Sequence, residues 1–334
     1  MAKARRDFGY YAESFLADYL PARRGCSSKT VSSYRDAIVL LIEFMQGRCG
    51  GRFGLADIDA EAVEAFLGHL EADRGNSVAT RNQRQAAVNS FLSFVRMREP
   101  ELYGQYAAVL DIPRKKAPKP TIAYLTATEV EALFASIDDS GRQGLRDKAM
   151  LAFLYETAAR VDELCGCLFC QLRLESAPYV ELHGKGGKAR NVPVTDSFAS
   201  LMRDYMVAFG VSEGSQPLFF NRYGRPLTQK GVAYVLDKRL AVAADSVPSI
   251  GRKRITCHSM RHSRAMHLLE AGVNLIYIRD ILGHASVTTT EIYAKTNPEL
   301  KRKYVTVHSA AYSTGEKYTP EEKDELIKWL RDNF

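Results

Sequence analysis

Thr256–Lys295 reads TCHSMRHSRAMHLLEAGVNLIYIRDILGHASVTTTEIYAK. It opens on His258-Ser-Met-Arg261, passes Leu282-Gly-His284 and closes on Thr290-Glu-Ile-Tyr293. Two short amphipathic helices fill the interval. Met260, Met266, Leu268 and Leu269 mark the apolar face of the first, and Leu275, Ile278 and Leu282 that of the second. Gly272 and Gly283 suit the helix ends, where a residue with positive φ lets the last carbonyls be satisfied. His258 and Arg261 stand three apart and so face the same way. An imidazole beside a guanidinium, with a second histidine and a tyrosine downstream, suits an anionic oxygen. Arginine forks onto phosphate, histidine moves protons near neutral pH, and tyrosine can be a nucleophile. Each of these residues alone is ordinarily a satisfied helix residue; the ordered set is what points to chemistry.

Outward from this stretch, 334 residues are enough for two domains with cores of their own. Lys+Arg number 46 against 39 Asp+Glu, a net charge of +7 that modestly favours a polyanionic partner. The sequence has no apolar run long enough to span a bilayer and no apolar signal core at the N-terminus, so no membrane partner and a cytoplasmic location are expected. Cys165-Gly-Cys167-Leu-Phe-Cys170 raises the question of zinc, but no second cysteine pair follows. Buried thiols are the expectation there, since free cysteine packs as a small hydrophobe.

Residues 8 to about 110 have the periodicity of four helices, marked by Phe8/Tyr11/Phe15/Tyr19, Val31/Tyr34/Ile38/Leu41/Met45, Val63/Phe66/Leu67/Leu70 and Val78/Val88/Phe91/Leu92/Val95. Asp59 is placed to cap the third. Lys29, Arg81, Arg84, Arg96 and Arg98 are expected to be exposed, as a solvated face or as DNA contacts. Asp111–Pro120 follows, with three prolines that forbid helix and four cations, Arg114, Lys115, Lys116 and Lys119, suited to lie along phosphates. Two domains joined by such a strap could close round a duplex as a C-shaped clamp. Thr126-Ala-Thr-Glu129 is a capping box that starts the second domain. Gly144 to Ala158 reads as a helix delivering Arg160 at its C-terminal end. Residues 171–175 and 179–183 read as strands, Gly184–Gly187 turns the chain, and 191–194 continues the return strand. Helices then follow around 196–209, 228–243, 258–271, 274–282, 286–295 and 298–308. The expected domain is mostly helical with one small antiparallel sheet at its edge.

His258-Ser-Met-Arg261-His-Ser, then Leu282-Gly-His284, then Tyr293 resembles the second signature box of the tyrosine recombinases of phage-integrase type. Thr157-Ala-Ala-Arg160-Val-Asp-Glu163-Leu resembles that family's earlier arginine motif, and His183-Gly-Lys185-Gly-Gly-Lys188-Ala-Arg190 its lysine hairpin. The resemblance is close over roughly 125 to 310; the N-terminal part matches by layout. It implies a mainly α fold, with a four-helix SAM-like core-DNA-binding domain over 1–110, a linker over 111–124, a catalytic domain over 125–310, and a C-terminal tether and helix over 311–334 that docks on its own domain or a neighbouring subunit. Ala158-Ala159 and Met260 depart from the family pattern at positions expected to lie outside the catalytic roles.

The chemistry expected of these residues is phosphodiester transfer. Arg160 and Arg261 would neutralise the equatorial oxygens, His258 would donate to a non-bridging oxygen or take the tyrosine proton, and His284 would complete the oxygen cage. Tyr293 would attack phosphorus, its ionisation helped by the surrounding cations. Lys185, with Lys188 as the alternative, would protonate the leaving 5′-oxygen. Glu163 would hold Arg160 or a neighbouring histidine, and Lys188 and Arg190 join the cations expected to meet DNA. The resemblance further implies a 3′-phosphotyrosyl bond, with no nucleotide cofactor and no metal. Its partners would be double-stranded recombination sites bound by a tetramer working through a Holliday junction, accessory factors or other recombinases, and a mobile element served. The rivals are a type IB topoisomerase-like strand transferase, a silent DNA-binding regulator, and a metal-dependent nuclease using His258, His262 and His267.

Overall fold

The computed structural model describes residues 7–118, 122–184, 187–284, 286–296 and 320–333. The chain divides into two units, Met1–Pro120 and Thr121–Phe334. The first is a bundle of α1 (Phe8–Glu13, continued in wider winding by Ser14–Arg23), α2 (Ser28–Arg48), α3 (Ala60–Ala72) and α4 (Val78–Arg96), with a further short helix α5 (Tyr103–Leu110) that the periodicity did not reveal. Asp59 caps α3, accepting from the Ala62 amide at 2.8 Å. Phe15, Ile38, Leu41, Phe66, Phe91 and Val95 are fully buried between these helices. The strap that follows is pinned along part of its length. Gln85 Nε2 donates to the Ile112 carbonyl at 2.8 Å, Asn82 Nδ2 to the Lys115 carbonyl at 2.7 Å, and Lys115 Nζ to Glu71 at 3.0 Å.

The second unit contains α6 (Ala127–Ala135), α7 (Arg142–Glu156), α8 (Val161–Cys165), then strands β1 (Leu172–Arg173), β2 (Tyr179–His183) and β3 (Ala189–Pro193), then α9 (Asp196–Phe209), α10 (Gln229–Ser246), α11 (Cys257–Glu270), α12 (Leu275–Leu282), α13 (Val287–Thr296) and α14 (Pro320–Asn333). The helix expected over 298–308 lies outside the described residues. The three strands form one antiparallel sheet in the order β1-β2-β3, with Val180 opposite Val192 and His183 opposite Ala189. Leu172, Val180, Leu182 and Val192 turn inward to the core, as the two-residue alternation of a half-buried sheet requires.

α7 and α11 pack against each other in this core, and α11 also meets α12 and α13. The entry to the unit is tied to α11 by the Leu125 amide, which donates to Ser263 Oγ at 2.8 Å. The capping box of α6 forms as the sequence indicates, and Glu129 also takes Lys253 at 2.5 Å and Ser249 at 2.6 Å. Those two bonds fix the segment that leads into α11.

Near the start of α7 the chain passes very close to the preceding loop. A β-carbon at Gly144 would stand 1.7 Å from the Asp138 carbonyl oxygen. Glycine-to-alanine inside a helix ordinarily stabilises by about 0.5–1 kcal/mol; here the backbone clash reverses the sign. Gly144→Ala should lower stability to urea by roughly 1–3 kcal/mol, and a variant as stable as the parent would contradict this close approach.

Candidate active site

Arg160 does not sit at the C-terminal end of α7, as the sequence suggested. α7 ends at Glu156, Thr157 Oγ1 returns to the Phe153 carbonyl at 2.6 Å, and Ala158 takes the left-handed conformation with φ 49°. The chain therefore reverses, and Arg160 becomes the residue before α8. Glu163, in the first turn of α8, reaches back to the Arg160 amide at 2.8 Å and to its Nη1 at 3.0 Å. The Arg160 side chain stays 38% exposed, open to an anion.

Arg261 is at the opposite extreme, with no exposed surface. Its Nη1 donates to the Ala158 carbonyl at 2.8 Å and its Nη2 to the Leu282 carbonyl, and its Nε has no hydrogen-bond partner among the described residues. Burial and the neighbouring Arg160 and Arg190 push its pKa down to about 9, still charged at neutral pH. One guanidinium thus joins the loop after α7 to the end of α12. Ala158, expected to stand apart from the chemistry, positions it through its backbone.

His258 and His262 lie one turn apart on α11, with ring centroids 4.4 Å apart. His262 Nδ1 is 2.9 Å from the Tyr293 hydroxyl. His284 follows α12, whose last turn is closed by Gly283 at φ 61°, and its Nδ1 is 3.0 Å from Thr290 Oγ1. Tyr293 is 2% exposed and shares a buried cluster with Ala158, Ala265, Met266 and Ile278. Its pKa is raised: burial outweighs the lowering by Arg261 and Arg160. The expected help from nearby cations is therefore present, but in the free protein it does not win. The sequence points to His262 only as a metal ligand; its contact with Tyr293 follows from the approach of α13 to α11, which spacing does not reveal. His267, the third histidine of the metal alternative, faces elsewhere, bonded to Tyr155 at 2.8 Å.

Lys185 lies outside the described residues, as does Lys119. Lys29, Arg114, Lys116 and Lys188 are exposed, and Lys115 is paired with Glu71 yet largely open. Two expected DNA contacts need correction. The Arg81 side chain is 6% exposed, bonded to Gln85 at 2.6 Å and close to Glu71, because it packs inside the bundle. Arg190 is likewise inside, at 12% exposure with its donors taken by Glu163 and the Ile281 carbonyl. Arg84 is half-buried and donates to the Ser33 carbonyl at 3.1 Å. Of the three clustered cysteines only Cys167 is buried, its thiol pushed up to about 12 by burial; Cys165 is half-buried and Cys170 exposed, which corrects the expectation of three buried thiols. Among the described residues no group of His, Cys, Asp and Glu could hold a metal, and no helix is long and apolar enough to cross a membrane.

Residues 123–299 match the phage integrase family model, and residues 13–99 match the model of the phage integrase N-terminal SAM-like domain. The chain belongs to the phage integrase family of tyrosine recombinases. As such it is a DNA strand transferase of the site-specific recombinase type. The integrase/recombinase-type protein y4rC of Sinorhizobium fredii is 34% identical, covering 95% of this chain and 96% of its own length. Tyrosine recombinase XerD of Oceanobacillus iheyensis is 33% identical over 90% of this chain and 99% of its own. In fold the recombinase resembles the XerH site-specific recombinase bound to a palindromic difH substrate, with a TM-score of 0.69 at 22% identity, covering 86% of this chain and 82% of that one. The Tn1549 transposon integrase in complex with transposon right end DNA gives a TM-score of 0.68 at 16% identity, covering 90% and 99%.

The charge state of the site gives a stability test. His262 and His284 are pushed down from 6.5 to about 4, in each case first by burial and then by neighbouring charge. Between those values the unfolded chain binds protons that the folded one refuses, so stability must fall as pH drops through the window. Glu129 and Glu163 are held below their ordinary 4.5, so their loss begins lower. Urea unfolding of the recombinase should therefore weaken from pH 6.5 downward, and less steeply in a His262→Asn/His284→Asn variant. Equal slopes in the two proteins would contradict the burial of these imidazoles.

Proposed function

We propose that the recombinase cuts and rejoins DNA at specific sites through a 3′-phosphotyrosyl bond to Tyr293. Arg160 and Arg261 neutralise the non-bridging oxygens of the scissile phosphate, and His258 and His284 donate to them. Fixed donors of this kind act on charge that grows in the transition state. Lys185 gives the proton that the departing 5′-oxygen needs. Tyr293 loses its own proton to a neutral imidazole, His258 or His262, as its oxygen bonds to phosphorus. The bond energy stays in the phosphotyrosine, so attack by a 5′-hydroxyl on that linkage reseals a strand without nucleotide hydrolysis. What carries this reading is the fastening of the arginine loop and the His284 turn to α11 by the fully buried guanidinium of Arg261.

Tyr293→Phe should bind its DNA site within about twofold of the parent while forming no covalent adduct on a nicked suicide substrate, because the hydroxyl acts in the transition state rather than in binding. A protease-sensitive covalent complex formed by this variant would refute the assignment.

The reading extends to a tetramer on two DNA sites that exchanges strands through a Holliday junction in the service of a mobile element, in company with other recombinases or accessory factors. α14 supports it. Pro320 opens the helix, a position that proline favours, and Ile327, Trp329 and Leu330 are exposed along it. A helix this short is marginal alone and gains stability by laying its apolar stripe in a groove. Placed on a neighbouring subunit, the helices would close four protomers into a ring. Deleting 319–334 should preserve single-site binding and abolish paired-site complexes and recombination. Normal pairing by the shortened protein would reduce α14 to a local cap.

A further inference from the structure

Arg190 leaves β3 and enters the site from the side of the hairpin. Its Nη1 and Nη2 fork onto the two oxygens of Glu163 at 2.9 and 2.8 Å, and its Nε donates to the Ile281 carbonyl at 2.8 Å. Glu163, only 4% exposed, also holds Arg160. A glycine leaves room for the fork. A β-carbon at Gly283 would stand 3.0 Å from Arg190 Cδ and Nη1. Gly283 therefore does more than end α12: it lets a side chain lie against the turn that leads to His284.

We propose that Arg190 is a positioning residue, which neutralises Glu163 so that the charge of Arg160 remains available to the scissile phosphate. The electrostatics require a third partner. A buried carboxylate facing Arg160 alone would cancel its charge and compete with phosphate for its donors. With Arg190 added, two guanidiniums share one carboxylate, and the trio keeps one net positive charge. The bidentate fork satisfies both Glu163 oxygens in a fixed plane, which a lysine ammonium cannot reproduce. Glu163 then serves as a rigid bracket for Arg160 instead of as its counterion. The bond from its Nε to the Ile281 carbonyl anchors the guanidinium itself and holds the plane of the fork.

The inference rests on the reading of Arg160 as a phosphate ligand, and a set of variants in the full-length protein separates the two. Covalent adduct formation is timed on a nicked suicide DNA site, with site binding measured in parallel. Arg190→Gln should slow adduct formation by about 30- to 100-fold with binding changed less than about threefold, because a charged bond acting through Arg160 is lost mainly from the transition state. Glu163→Gln should then restore roughly tenfold or more to Arg190→Gln while slowing the parent, the coupling expected when one residue exists to neutralise the other. On an Arg160→Ala background, Arg190→Gln should add less than about twofold. Arg190→Lys keeps the charge without the fork, should fall between parent and glutamine variant, and replaces it in both tests if Arg190→Gln does not fold. A merely structural brace would give no recovery with Glu163→Gln. No recovery, an undiminished loss on the Arg160→Ala background, or a loss of binding equal to the loss of rate would overturn the proposal. An Arg160→Ala protein that still cleaves normally would instead overturn the phosphate reading.

Discussion

A guanidinium with no exposed surface holds this site together. A buried charge is tolerated only when it is hydrogen-bonded, and Arg261 meets that condition with two main-chain carbonyls from distant segments. One belongs to Ala158, whose left-handed backbone costs about 1–2 kcal/mol. A hydrogen bond to a charged group contributes about 1.5–3 kcal/mol, enough to offset that strain. The other belongs to Leu282, at the C-terminal end of α12, where helix carbonyls lack partners and favour positive charge. The reversal that exposes Arg160 and the turn that carries His284 are thus stabilised by the same side chain.

The price of that arrangement is a crowd of cations. Arg160 and Arg190 press on Arg261, and burial first, then Arg261 and Arg160, lower the proton affinity of His258 and His284. Burial also raises the Tyr293 hydroxyl and keeps it protonated. In the free protein the site therefore holds neutral histidines, a neutral tyrosine and an excess of positive charge, poised for an anion. A phosphodiester entering between them would relieve the repulsion and raise the histidine proton affinities, by the same rule that lowers them in its absence. Glu163 tempers the crowd from within, taking two of the three arginines.

The buried arginines also show why basic residues cannot be sorted by type alone. Arg81 and Arg190 carry the same charge as Lys29 and Lys188, yet the first two are folded inward onto Gln85 and Glu163 while the others face solvent. Arginine can do this because it offers several donors in one plane and is weakly hydrated, so that a buried carboxylate or amide can satisfy it.

Local physics was legible in the sequence. The 3.6-residue recurrence of apolar side chains located most of the helices, the Thr126–Glu129 box located the start of α6, Gly283 located the end of α12, and the glycine-rich segment after His183 located the hairpin. The order of Arg160, Lys185, His258, Arg261, His284 and Tyr293 along the chain marked the family, because each belongs to a short motif. What no spacing contains is which side chains meet across the fold. Arg261 finds a carbonyl 103 residues away, Arg190 a carboxylate 27 residues away, and His262 a hydroxyl 31 residues away. Those pairings were decided only when α7, α11, α12, α13 and the hairpin packed together, since burial determines which charges must be matched and which hydroxyls keep their protons.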